Sequence, residues 1–161
     1  MTQVAEQAGG KVRRFEPRDP AWRDRVAASF ARQAFMTETL GATIDRLEPG
    51  EVDLAVAFAD GLVQQHGFFH AGVTTTLADT AAGYAALSLY PKGFGVLTTE
   101  FKMNLLNPGR GARLVARGRV IKPGRTLTVT ASDVYGQTPG EEDIHIATGL
   151  FTMIALEGLD D

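Results

Sequence analysis

The sequence predicts an α+β domain in which a curved antiparallel sheet of about six strands wraps around one long central helix, with an additional N-terminal helix. Three observations carry this. Between Gly61 and Pro91 the only formal charge is Asp79, inside a Gly/Ala/Thr-rich helical stretch too apolar to leave uncovered. Four strand-like runs follow, at about 96–106, 113–122, 126–135 and 144–154, separated by Asn107-Pro108-Gly109, Pro123-Gly124 and Gln137-Thr138-Pro139-Gly140. Such short turns make neighbouring runs antiparallel. Finally, Ala78, Ala81, Ala82, Ala85 and Ala86 on the helix, with Ala116 and Gly118 in a strand, allow helix and sheet to approach closely.

Taken in order, residues 1–17 read as a tail of low apolarity, and residues 18–161 as a single domain. Asp19 is placed to cap a helix whose first position is Pro20, with an apolar stripe of Trp22, Val26, Phe30, Ala34 and Leu40 ending at Gly41. A strand at about 42–47 turns at Pro49-Gly50 into a second, in which Val52, Leu54, Val56 and Phe58 alternate with Glu51, Asp53, Ala55 and Ala57. The segment Gln64-Gln65-His66-Gly67-Phe68-Phe69-His70-Ala71-Gly72 then opens the central helix, and Pro91-Lys92-Gly93 breaks the chain after it. If the loop is extended, Phe68 and Phe69 face opposite ways, one to the core and one to a pocket.

Composition narrows the function. With 161 residues, 44% apolar, 22% charged and a net charge of -3, the chain reads as one globular domain, with no sign of a nucleic-acid partner. Lys102, Arg110, Arg113, Arg117, Arg119, Lys122 and Arg125 nevertheless cluster with only Glu100 among them, a pattern suited to a small anionic ligand. By default these are solvated strand residues, Arg113, Arg117 and Arg119 sharing one side. There is no cysteine, which excludes disulfides and thiolate chemistry. His66 and His70 have the spacing of a helical metal pair, but too few ligands remain to complete a site, so no metal is expected. The stretch 71–90 has the length of a membrane span, yet Thr74, Thr75, Thr76, Asp79, Thr80 and Ser88 argue for burial in protein; a cytoplasmic protein with no membrane partner is expected.

An ionised carboxylate in an apolar helix is costly unless it is used, which makes Asp79 the leading functional candidate. The plainer alternative is a structural acid bonded to a neighbouring hydroxyl. The first backbone N–H groups of a helix lack internal partners and sit at its positive end, so the amides near Ala71 and Gly72 suit a carbonyl that becomes an oxyanion. Asp79 lies eight residues beyond Ala71, roughly 12 Å along the helix. The two cannot serve one carbonyl within one chain.

The string Gln64 to Gly72, followed by Leu77-Ala78-Asp79-Thr80-Ala81, resembles the signature of the PaaI-like (phenylacetate-degradation type) hotdog-fold acyl-CoA thioesterases. Leu97-Thr98-Thr99-Glu100-Phe101 through Asn107-Pro108, and Val120 to Leu127, fit the same pattern, and the match runs from about 42 to 154. The resemblance implies cleavage of acyl-coenzyme A, with no cofactor beyond the coenzyme A of the substrate. It also implies a homodimer assembling into a homotetramer, with the site across the dimer interface. Asp79 would be general base or nucleophile, Ala71 the oxyanion donor in place of the family's Gly, Gln64 the counterpart of a family Asn, and Thr98 the residue that orients water. His66 and His70 would position the loop or the carbonyl. Gly72 would contribute to substrate binding, and Lys122, Pro123, Gly124, Arg125, Thr126 and Leu127 would lie along the coenzyme A arm, Lys122 and Arg125 near its phosphates. A hotdog dehydratase or hydratase, pairing His70 with Asp79, and a non-catalytic acyl-CoA-binding module are the competing readings. The first fits the loop string less well, and the second has no need of Asp79.

Overall fold

In the computed structural model, which describes residues 15–159, helix α1 spans Trp22–Ala31. Of the expected tail, residues 1–14 lie outside the described residues, while Phe15 packs against the core and meets Gly50. The start of α1 differs from expectation. Asp19 accepts a hydrogen bond from the Ala21 N–H at 2.9 Å, but Ala21 is the N-cap, so the Asp19 turn precedes the helix. Asp19 also pairs with Arg25 at 2.9 Å, and Arg25 reaches the carbonyl of Tyr90 at 2.7 Å, tying α1 to the far end of the central helix. Its carboxyl is held below the usual carboxylate range first by the Ala21 N–H and then by Arg25, against burial. The apolar stripe does not continue as one helix: α1 ends at Ala31, and a separate π-helical turn, Phe35–Thr39, buries Met36 before Gly41 turns the chain at φ 65°.

Six strands follow the expected order: β1 (Thr43–Glu48), β2 (Glu51–Ala57), β3 (Phe94–Leu105), β4 (Arg113–Lys122), β5 (Leu127–Gln137) and β6 (Ile144–Glu157). All neighbours are antiparallel, in the order β1-β2-β4-β5-β6-β3. Helix α2, Ala71–Leu87, packs on one face of this sheet, a hotdog arrangement. Its small residues are the reason it can lie so close. A Cβ on Gly118 of β4 would stand 2.4 Å from the Ala81 carbonyl, so the strand passes against helix backbone where no side chain fits.

Val52, Leu54 and Val56 of β2 supply buried side chains beneath the helix, as their alternation predicts. On the other face Arg113, Arg117 and Arg119 share one side and pair with Asp45, Asp143 and Asp133. These three arginines therefore follow the default reading of solvated strand residues. Strand β3 is at the sheet edge, bonded only to β6, and exposes Leu97, Phe101 and Leu105. No helix among the described residues is long and apolar enough to cross a membrane.

Candidate active site

The loop before α2 is built from its own hydrogen bonds. Gly67, at φ 79°, closes a turn in which its N–H reaches the Gln64 carbonyl at 2.9 Å, and the Gln64 side-chain oxygen accepts the His66 N–H. Phe69 is buried, its N–H bonded to the Gly109 carbonyl at 2.9 Å, and Phe68 is partly exposed; their burial differs as the alternation predicts, but both line one open groove.

His70 is the N-cap of α2, and its Nδ1 accepts the Gly72 N–H at 2.9 Å. In this contact Nδ1 is the acceptor and carries no proton. It also alters the expected oxyanion pair, because the Gly72 amide is already engaged. The Ala71 N–H meets no acceptor among the described residues and is left pointing from the helix end. The groove it adjoins has a volume of about 620 Å³ and is walled by the 64–71 loop on one side and 105–109 on the other.

Asp79 is elsewhere. From Leu77 to Leu87 only Asp79, Thr80 and Gly83 are not buried, which defines a strip of α2 that the sheet leaves open. The carboxylate is half-buried in one protomer rather than enclosed, and its Oδ1 accepts the Thr98 hydroxyl at 2.7 Å. Burial pushes its pKa above the ordinary carboxylate value of 3.8, and the Thr98 hydrogen bond opposes this without cancelling it. Thr98 is in turn 3.3 Å from the Met153 sulfur. A cavity of about 110 Å³ opens beside Asp79 and Thr98, lined also by Ser29, Gln33, Tyr84 and Met153. It shares no residue with the groove at Ala71.

The structure thus groups the expected residues in three places. Gln64, His66, His70 and Ala71 share the groove, and Asp79 and Thr98 share the cavity. Lys122 to Leu127 form the β4–β5 connection at the opposite end of β4 from the groove; ten strand residues span about 30 Å. There Gly124 is held by Tyr90, whose hydroxyl donates to its carbonyl at 3.1 Å, while Lys122, Pro123, Arg125, Thr126 and Leu127 are exposed. Sequence reasoning missed Ser29 and Gln33, because no local signal brings α1 to the Asp79 cavity. It also missed Tyr84, whose hydroxyl lies 3.2 Å from Ser29 Oγ. Among the described residues no three His, Asp or Glu side chains form a group able to hold a metal ion.

A free amide at the start of the central helix of a hotdog sheet, with a carboxylate of raised pKa on the same helix, is compatible with acyl-transfer chemistry. Comparison with known proteins agrees. Residues 66–142 match the family model described as Thioesterase superfamily. A thioesterase-family protein from Silicibacter pomeroyi is 49% identical and superposes with a TM-score of 0.82, covering 85% of this chain and 99% of its own. The E. coli PaaI protein from the phenylacetic acid degradation operon shares the fold, at 22% identity and a TM-score of 0.73 over 86% of this chain and 94% of its own. A Halobacterium salinarum protein provisionally named an esterase is 31% identical over 117 residues, 68% of this chain and 77% of that protein. The chain belongs to the thioesterase superfamily and is a thioester hydrolase with a hotdog fold.

Proposed function

We propose that the protein hydrolyses acyl-coenzyme A at a site shared by two protomers. One protomer offers the Ala71 N–H to the thioester carbonyl, and its partner offers Asp79. The observation that carries this reading is the separation of the two groups: the free amide opens onto one cavity and the carboxylate onto another, about 12 Å apart along one helix. A second copy placed against the open strip of α2 brings each half to its complement. The unpaired edge of β3, with Leu97, Phe101 and Leu105 exposed, supports such a dimer, because an edge strand of this length is a template for pairing. Further association into a tetramer is part of the same proposal.

In this site the thioester carbon is attacked by water that gives its proton to Asp79, or by the Asp79 carboxylate itself to form an anhydride that water then opens. The oxygen charge of the tetrahedral intermediate rests on the Ala71 N–H, and coenzyme A leaves as the thiol. Thr98 holds the carboxylate in place, and His70 holds the amide by capping the helix. Gln64 and His66 line the same groove. The β4–β5 connection, Lys122 to Leu127, is too far from its own Ala71 to hold the same arm and would serve the site formed with the partner. The test is thiol release from aliphatic and aromatic acyl-coenzyme A substrates by the native protein and Asp79→Ala. Turnover lost in the variant is the expected result; a native protein that releases no thiol from any of them overturns the reading.

A further inference from the structure

Among the basic residues of the 102–125 cluster, Arg113, Arg117 and Arg119 are neutralised by carboxylates; Arg110, like Lys102, Lys122 and Arg125, has no ion pair among the described residues, and of these four it alone lies over an aromatic ring. No carboxylate among the described residues pairs with Arg110; its guanidinium lies over the Phe68 ring, 4.7 Å from the centroid. We propose that Arg110 is a phosphate-binding residue for the coenzyme A moiety, on the protomer that supplies the Ala71 amide. The inference rests on the acyl-coenzyme A reading above and names a contact that the sequence cluster did not single out.

The backbone around Arg110 is built to hold it there. Gly109 is bonded to Phe69, and the Ala112 N–H to the Gln137 carbonyl at 2.8 Å, so both flanks of the turn are pinned. A Cβ on Gly136 would stand 1.8 Å from the Arg110 carbonyl, so that strand position admits only glycine beside the turn, and one on Gly109 would lie a tight 3.0 Å from the Phe69 Cβ. Gly111, at φ 138°, completes the turn. The side chain is delivered onto Phe68, which lines the groove, and Arg110 itself is exposed next to the lining residue Gly109.

The ring contact holds the guanidinium over Phe68, and no hydrogen bond or ion pair among the described residues uses its N–H donors, which suit phosphate oxygens in a fork. Phe68 is three residues from Ala71, at most about 10 Å between Cα atoms. With the thioester carbonyl at the Ala71 amide, the pantetheine arm runs along the groove and its phosphate end emerges toward the rim.

The test compares an acyl-coenzyme A with the same acyl group on N-acetylcysteamine, which lacks every phosphate. In Arg110→Ala the ratio of kcat/KM for the first substrate over the second should fall about tenfold or more, the worth of a lost charged hydrogen bond. Because both substrates undergo the same chemistry, damage to the fold or to the catalytic groups lowers both and leaves the ratio intact. An unchanged ratio overturns the proposal, as does a ratio that collapses only in Lys122→Ala or Arg125→Ala. Calorimetric titration of free coenzyme A into native protein and Arg110→Ala reads the same contact without turnover. Failure of thioester hydrolysis and failure of the Arg110 contact are therefore separate results.

Discussion

Replacing Ala71 by proline removes one hydrogen atom from the proposed site and little else. Ala71 is the first residue of α2, a position where proline is favoured because the N–H there has no helical partner. His70 before it has φ -63° and ψ 138°, an extended conformation that a following proline accepts. The cap from His70 Nδ1 to the Gly72 N–H does not involve the lost atom and should persist. Stability should change by less than about 1 kcal/mol, a shift in Tm of a few degrees at this chain length. The rate should not be spared. Loss of one oxyanion donor costs about two to three powers of ten in kcat, roughly 2.7–4 kcal/mol of transition-state stabilisation. Steady-state thiol release measures this directly, with Ala71→Gly, which keeps the N–H, as the control that stays within a few-fold of native. Ala71→Pro with a native melting curve and a native kcat would show that the amide does not hold the oxyanion.

The shared site makes a second prediction: Ala71→Pro and Asp79→Asn, each inactive alone, should recover about one quarter of native activity when refolded together, since half the dimers are mixed and each holds one intact site of two. No recovery from well-mixed dimers would place both groups in the same protomer's site. Third, Asp79 has a raised pKa in the folded state, so the native protein binds more protons than the unfolded chain between the ordinary and the raised values, and stability falls as pH rises through that window. Asp79→Asn should therefore melt higher than native at neutral pH, with the difference vanishing below the unfolded pKa of 3.8, as read by melting curves against pH. Fourth, Thr98→Val deletes the contact that holds this pKa down, so the acid limb of the native kcat/KM profile should move to higher pH; a stationary limb would remove Asp79 as the titrating group. Last, Gly118→Ala drives a Cβ into the backbone of Ala81 and should destabilise by about 1–3 kcal/mol in denaturant unfolding, with loss of activity only as far as the fold is lost.

Much of the fold was legible because its signals are local. Alternation in β2, Gly and Pro turns between β4, β5 and β6, and the lone charge at Asp79 each depend on a few adjacent residues, and β4 falls at the expected 113–122. The end of α1 was not legible. The stripe through Ala34 and Leu40 has helical spacing, yet the chain breaks after Ala31 because Met36 has to enter the core and Gly41 to turn. At the site, residue types predicted an amide and a carboxylate that act in different places. They did not predict that His70 occupies the Gly72 N–H, since a capping contact depends on the rotamer of one ring.

By itself the sequence determined the layering of sheet on helix, the helix that carries Asp79 and the distance of about 12 Å between Asp79 and the start of that helix, because these follow from periodicity, composition and a rise of about 1.5 Å per helical residue. Only the tertiary structure decided which charges are free. Seven basic residues in a run look alike in one dimension; three of them meet carboxylates from strands or turns distant in sequence, and Arg110 meets the ring of Phe68. Pairing across sequence separations of this kind depends on strand register and turn placement, which no window of neighbouring residues encodes.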